Sequence, residues 1–184
     1  MPCINKSFLD KLQSDYKEYK CFVETGTWVG NTIFNLEPYF DKLHTIEFSE
    51  KYYNNTKSRY HGNKINFILG DSSIEFKTLL PTLNEKCIFF LDGHWSGGDT
   101  GRSSKDSPLV EEMELINDLF TNEAIIIIDD VRLFGMKEIL NEPNWSEINK
   151  EQLITIILGR VSKIYFLDSD MARDDRLIIH INAK

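Results

Sequence analysis

The sequence predicts a three-layer α/β protein built on an open sheet of about seven strands, mostly parallel, with the last strand antiparallel. Three observations carry this reading. Short apolar, β-branched runs alternate with amphipathic stretches along the whole chain. The runs at 87–92 and 124–130 are apolar at nearly every position, as in parallel strands covered on both faces. Acids close one run after another, at Glu24, Glu47, Asp71, Asp92 and Asp129-Asp130.

Taken in order, residues 1–20 read as a helical extension of a single domain spanning 1–184. A helix is expected from about Ser7, striped by Phe8, Leu9, Leu12 and Tyr16. A first strand at Phe22 runs into the glycine turn Glu24-Thr25-Gly26-Thr27-Trp28-Val29-Gly30 and then into a short helix ended by Pro38. Lys42–Glu47 is the second strand, followed by a helix that Ser49 can cap. Ile65–Leu69 is the third; Asp71, Ser72 or Ser73 can cap the next helix, which Pro81 stops. Cys87–Asp92 opens into the glycine-rich loop 93–101. A helix starts at Ser107-Pro108, with Glu111 and Glu112 in its favourable first turn and Leu109, Met113, Ile116 and Phe120 as its core stripe. Strand 124–130, helix 149–159, strand 163–167 and strand 176–181 complete the chain. The tight turn before the last strand makes it antiparallel, and the alternating elements imply right-handed crossovers.

Composition narrows the function. The chain has 184 residues and a formal net charge of −8, without a Lys/Arg run. Long-range electrostatics therefore oppose a nucleic-acid backbone or an anionic membrane as partner, and favour a small neutral or cationic ligand. Cys3, Cys21 and Cys87 are far apart and lack metal-site spacing, which suits buried thiols in a reducing, cytoplasmic setting. No signal peptide or membrane-spanning run is visible.

In an open α/β sheet, ligands bind beyond the carboxyl ends of the strands, where strand order reverses. One acid there is ordinary turn chemistry; five successive strands ending in acids is a site. With Glu24, Gly26 and Gly30 at acidic-x-Gly-x-x-x-Gly spacing, the pattern resembles class I S-adenosylmethionine-dependent methyltransferases. The resemblance implies that the turn (Glu24, Thr25, Gly26, Thr27, Trp28, Gly30 and Thr32) holds the methionine part of S-adenosylmethionine. It also implies that Glu47 takes the ribose hydroxyls, that Asp71 and Ser72 lie near the adenine, and that Asp92 borders the cofactor.

A narrower likeness lies in Leu-Asp-Gly-His-Trp (91–95) and Ile-Asp-Asp (128–130), which resemble metal-ligand motifs of metal-dependent O-methyltransferases, nearest to the macrocin-type sugar enzymes. It implies Asp92, Asp129 and Asp130 as ligands of Mg²⁺, a hard ion suited to carboxylate oxygens. His94 stands where the sugar enzymes often have a second Asp, and a histidine suits a general base. Asp92 and His94 are therefore the expected catalytic pair, acting on a hydroxyl of a sugar or glycan. A catechol-like or other small diol is the alternative acceptor, and a homodimer is what the resemblance suggests.

Other residues carry plainer readings. Trp95, Asp99, Thr100 and Arg132 can touch an acceptor or merely shape their loops. His44, His61 and His180 read as packing or surface residues, and Asp168-Ser-Asp170 as an acidic hairpin. A dinucleotide oxidoreductase would use the same sheet but would show Gly-x-Gly-x-x-Gly, which is absent. Absence of an Asn/Asp-Pro-Pro-aromatic motif after the fourth strand counts against methylation of nucleic-acid amino groups.

Overall fold

The computed structural model describes residues 3–95, 107–137 and 143–184. In chain order its elements are α1 (Lys6–Leu9), β1 (Cys21–Thr25), α2 (Asn31–Leu36), β2 (Lys42–Glu47), α3 (Glu50–Ser58), β3 (Ile65–Leu69) and α4 (Ser72–Leu79). Then come β4 (Cys87–Leu91), α5 (Leu109–Leu119), β5 (Ala124–Ile128), α6 (Lys150–Ile157), β6 (Val161–Leu167) and β7 (Arg176–Ile181). The strands form one sheet in the order β3-β2-β1-β4-β5-β7-β6. β1 to β5 are parallel, and β7 runs antiparallel to both neighbours. The expected fold class is therefore the observed one.

Local chemistry sets the helix starts. Asp71 caps α4 by accepting from the Ser73 N–H at 2.9 Å, and Asn149 caps α6 by accepting from Gln152 N–H at 2.8 Å. Ser49 occupies the N-cap of α3 but makes no side-chain cap bond; its N–H donates instead to Glu47 Oε1. The N-terminal helix is shorter than its apolar stripe suggests. α1 ends at Leu9, and Asp15 captures the Lys17 N–H to start a separate 3₁₀ turn. Short polar side chains in Gln13-Ser14-Asp15 compete for backbone groups and interrupt the helix. Phe8, Leu9, Leu12 and Tyr16 are nonetheless all buried, on the sheet face they share with Phe22, Ile125 and Ile127.

The two-residue alternation divides the strands between two cores. Phe22, Leu43, Phe90 and Ile127 face α2 and the N-terminal segment, while Val23, Phe89, Ile126 and Ile179 face α4, α5 and α6. Arg160 fixes the far end of α5 by donating to the carbonyls of Phe120 at 2.7 Å and Asn122 at 2.8 Å. Among the described residues no helix is long and apolar enough to cross a membrane.

β1 pairs with β2 on one side and β4 on the other, so the order reverses between β1 and β4. Gly26 closes that junction. Its N–H donates to the Ile46 carbonyl at 2.9 Å, its φ is +83°, and an added Cβ would lie 2.2 Å from the Asp92 carbonyl oxygen. Both conformation and contact therefore require glycine. Gly26→Ala should lower stability by about 2–4 kcal/mol, combining left-handed strain with overpacking. Denaturant unfolding checks this; a loss below about 0.5 kcal/mol would show that the junction yields freely.

Candidate active site

Parallel register brings the expected residues to one edge. On the β1–β2 side, Glu24 is buried and accepts from Thr45 Oγ1 at 2.7 Å, while its Oε2 has no hydrogen-bond partner among the described residues. Burial pushes its carboxyl up to about 8, against the Thr45 bond. Thr27 hydrogen-bonds Thr45. Glu47 accepts from the N–H groups of Trp28 and Ser49, both at 2.8 Å, and burial still raises its carboxyl. Trp28 adopts a positive φ and is held by Thr56, whose hydroxyl donates to the Trp28 carbonyl. Gly30 starts α2 at φ +79°, packed against Thr56 and Phe34, and Thr32 is buried in the first turn. The two glycines thus answer to backbone conformation and packing.

On the β4–β5 side, Asp92, His94 and Asp130 converge, with ligand atoms within 4.8 Å of one another. His94 Nδ1 lies 3.4 Å from Asp92 Oδ1, and Nε2 lies 3.1 Å from Asp130 Oδ2. Burial, reinforced by Asp129 and Asp130, raises Asp92 well above the usual carboxylate range. Burial also acts on Asp130, but His94 and Arg132 outweigh it and hold the group low. Asp129 lies beside this group and has a cationic partner of its own. It accepts from Arg176 Nε at 3.0 Å, and its carboxylate lies within 4.8 Å of those of Asp130 and Asp175, a second cluster that could hold a cation. Arg176 is itself buried and lies 4.7 Å from the Phe8 ring centroid.

Three residues at this edge had weak signals in the sequence. Asp175 falls in the predicted hairpin but is fully buried; it accepts from the Arg132 N–H at 3.1 Å and pairs with the Arg132 guanidinium and Ser169. Glu112, legible only as a favourable first-turn charge, is buried against Ser72 and Thr25, and burial pushes its carboxyl up to about 7. Trp145 lies in a stretch without a motif and packs edge-on against His94 at 4.8 Å. No periodicity marks these positions, because each reaches the site from a different element.

The remaining expectations sort simply. Asp71 is the α4 cap and Ser72 turns towards Glu112. Trp95 is buried; Asp99 and Thr100 lie outside the described residues. His180 is buried against Tyr165 and lowered to about 4 by burial, His44 faces Asn66, and His61 is exposed. Asp168 accepts from the Asp174 N–H at 3.0 Å within its own hairpin. Cys21 and Cys87 are buried, free, and register partners on β1 and β4.

No protein-family model matches the sequence, and neither does any curated protein. Solved structures do match in fold. A Klebsiella pneumoniae protein assigned as an O-methyltransferase superposes with TM-score 0.64 at 13% identity, over 91% of this chain and 75% of that one. An rRNA methylase from Streptococcus thermophilus gives 0.54 at 15% identity, over 91% and 89%. Human N-acetylserotonin methyltransferase, in complex with S-adenosylmethionine, gives 0.58 at 12% identity, over 93% and 50%. The chain therefore has the fold of S-adenosylmethionine-dependent methyltransferases, a fold those proteins use on chemically different acceptors.

A cationic ligand at Glu24 would have to ionise a carboxyl whose folded value is raised to about 8. Affinity for S-adenosylhomocysteine should then rise with pH between 6 and 8, by up to about tenfold per unit, and level off above. Glu24→Gln should bind more weakly with a flat profile. Calorimetric titration checks this, and an unchanged pH slope in the variant would remove Glu24 from the cation's contacts.

Proposed function

We propose that this chain is an S-adenosylmethionine-dependent O-methyltransferase, assisted by a divalent cation and acting on a hydroxyl of a sugar or another small diol. The observation that carries the reading is the convergence of Asp92, His94 and Asp130 beside the β1/β4 junction.

The β1–β2 side fits the cofactor. A buried carboxylate oxygen without a partner, Glu24 Oε2, is what an ammonium or hydroxyl donor would satisfy. Glu47 is fixed by two backbone N–H groups and retains lone pairs for hydroxyls. Phe48, Leu69 and Ile74 leave apolar side chains exposed around Glu47 and Asp71, an environment for a flat base. When bound, S-adenosylmethionine supplies the transferable methyl as a sulfonium electrophile.

The β4–β5 side fits a cation. Asp92 and Asp130 are carboxylates in a poorly solvated pocket, and the imidazole between them offers a third donor. Two carboxylates with water suit Mg²⁺, whereas inclusion of the imidazole favours a transition metal such as Mn²⁺. Asp129 would stand behind these groups, tied to Arg176. A cation there supplies positive charge that makes an acceptor hydroxyl more acidic. His94 would be the group that takes the acceptor proton, its ring oriented between Asp92 at Nδ1 and Asp130 at Nε2.

Thermal unfolding with S-adenosylhomocysteine, NAD, Mg²⁺, Mn²⁺ and chelator tests the reading. A ligand at about a hundred times its dissociation constant stabilises by about 2.7 kcal/mol, or roughly 5–10 °C for a domain of this size. S-adenosylhomocysteine should give that shift and NAD none; the reverse result would end the proposal. Asp130→Asn should lose the metal-dependent shift and keep the S-adenosylhomocysteine shift. His94→Gln should keep the metal shift if the ring serves as base, and lose it if the ring is a ligand.

A further inference from the structure

Two buried polar atoms at the acceptor side of the site have no partner among the described residues. Glu112 is 1% exposed and Trp145 2% exposed, and among the described residues neither Glu112 Oε1 nor Trp145 Nε1 makes a hydrogen bond. Leaving one such group unpaired costs about 1–3 kcal/mol, so two unpaired groups call for an explanation. Both residues line the same cleft, together with Gly93, His94 and Asp129.

The Glu112 carboxyl lies against Ser72 and Thr25, from the start of α4 and the end of β1, and among the described residues its Oε1 makes no hydrogen bond. A Cβ on Gly93 would lie 3.2 Å from that Oε1, so the free oxygen reaches the loop that carries His94. Trp145 lines the same space with its ring centroid 4.8 Å from that of His94. One orphan is an acceptor and the other a donor. The space they border is about 10 Å³, roughly one water molecule or one hydroxyl.

We infer that Glu112 and Trp145 form a subsite for a single hydroxyl of the acceptor, which donates to Glu112 Oε1 and accepts from Trp145 Nε1. In the resting protein a water molecule fills this place, and an acceptor hydroxyl displaces it. The inference rests on the methyltransferase reading only for the nature of the ligand. It makes Glu112 a specificity-determining residue, selecting acceptors that carry a second hydroxyl beside the one that reacts. Loss of that hydroxyl would leave two buried groups unpaired, and rejection of an analogue on those grounds is steep.

The test uses the ¹⁵N-labelled full chain with S-adenosylhomocysteine present. The chain has 3 tryptophans, so the Trp145 indole N–H resonance is assigned by comparison with Trp145→Phe. Two probes, methyl α-D-glucopyranoside and catechol, are titrated separately. At least one should shift the Trp145 signal saturably and abolish its cross-relaxation with trapped water. Glu112→Gln should weaken that probe about tenfold. Silence of the wild-type signal to both probes overturns the inference. So does a water contact that survives saturation, which would mark a structural water only. These readouts use the wild-type protein and so hold even if Glu112→Gln misfolds. A Trp145 response in a chain whose midpoint ignores S-adenosylhomocysteine would keep the subsite and discard the methyltransferase.

Discussion

Too many carboxylates share one poorly solvated edge of this protein, and the rest of the site is arranged around that fact. Glu24, Glu47, Asp92, Asp129 and Asp130 gather there, with Glu112 beneath them. Two like charges about 4 Å apart cost roughly 4 kcal/mol at an effective dielectric of 20, so they cannot all ionise unaided. The chain resolves the conflict group by group. Arg176 faces Asp129, while Arg132 and His94 hold Asp130 in its charged form. Glu24 and Asp92 are pushed towards the neutral acid. An edge left short of positive charge in this way is prepared to accept it from a ligand.

The sheet makes such crowding unavoidable. Five parallel strands in register end on the same side, and a residue closing one strand must neighbour the residue closing the next. The reversal between β1 and β4 then opens the edge into a crevice. Asp92 links the two halves through its backbone: its N–H donates to the Thr25 carbonyl at 3.2 Å, and its carbonyl crowds Gly26. Its side chain meanwhile faces His94. The β1–β2 side and the β4–β5 side are therefore coupled through one residue, and a change at Gly26 would be felt at both.

What the fold shares with the methyltransferase structures it resembles is the edge and the crevice, and nothing in that frame chooses an acceptor. The structures it resembles include an rRNA methylase and an enzyme named for a small amine derivative. Selection has to come from polar groups lining the cleft. Here Glu112 Oε1 and Trp145 Nε1, unpaired among the described residues, are more informative than the sheet, because a buried acceptor and donor call for a partner.

By itself the sequence determined the strand order of chemistry: which runs are strands, that their ends carry acids, and that the last strand turns back. Those features depend on periodicity and on residue type at element boundaries, both of which are local. Tertiary structure decided what each acid faces. Asp129 and Asp130 are adjacent and identical in kind, yet one pairs with Arg176 on β7 and the other meets His94. Glu112 looked like an ordinary first-turn glutamate, Asp175 like a neighbour of the acidic hairpin, and the stripe at Phe8–Tyr16 like one continuous helix. Their roles were set by partners distant in the chain: Ser72 and Thr25 for Glu112, Arg132 for Asp175, and the sheet face for the stripe. A spacing rule cannot see such partners, because burial and pairing belong to the packed molecule.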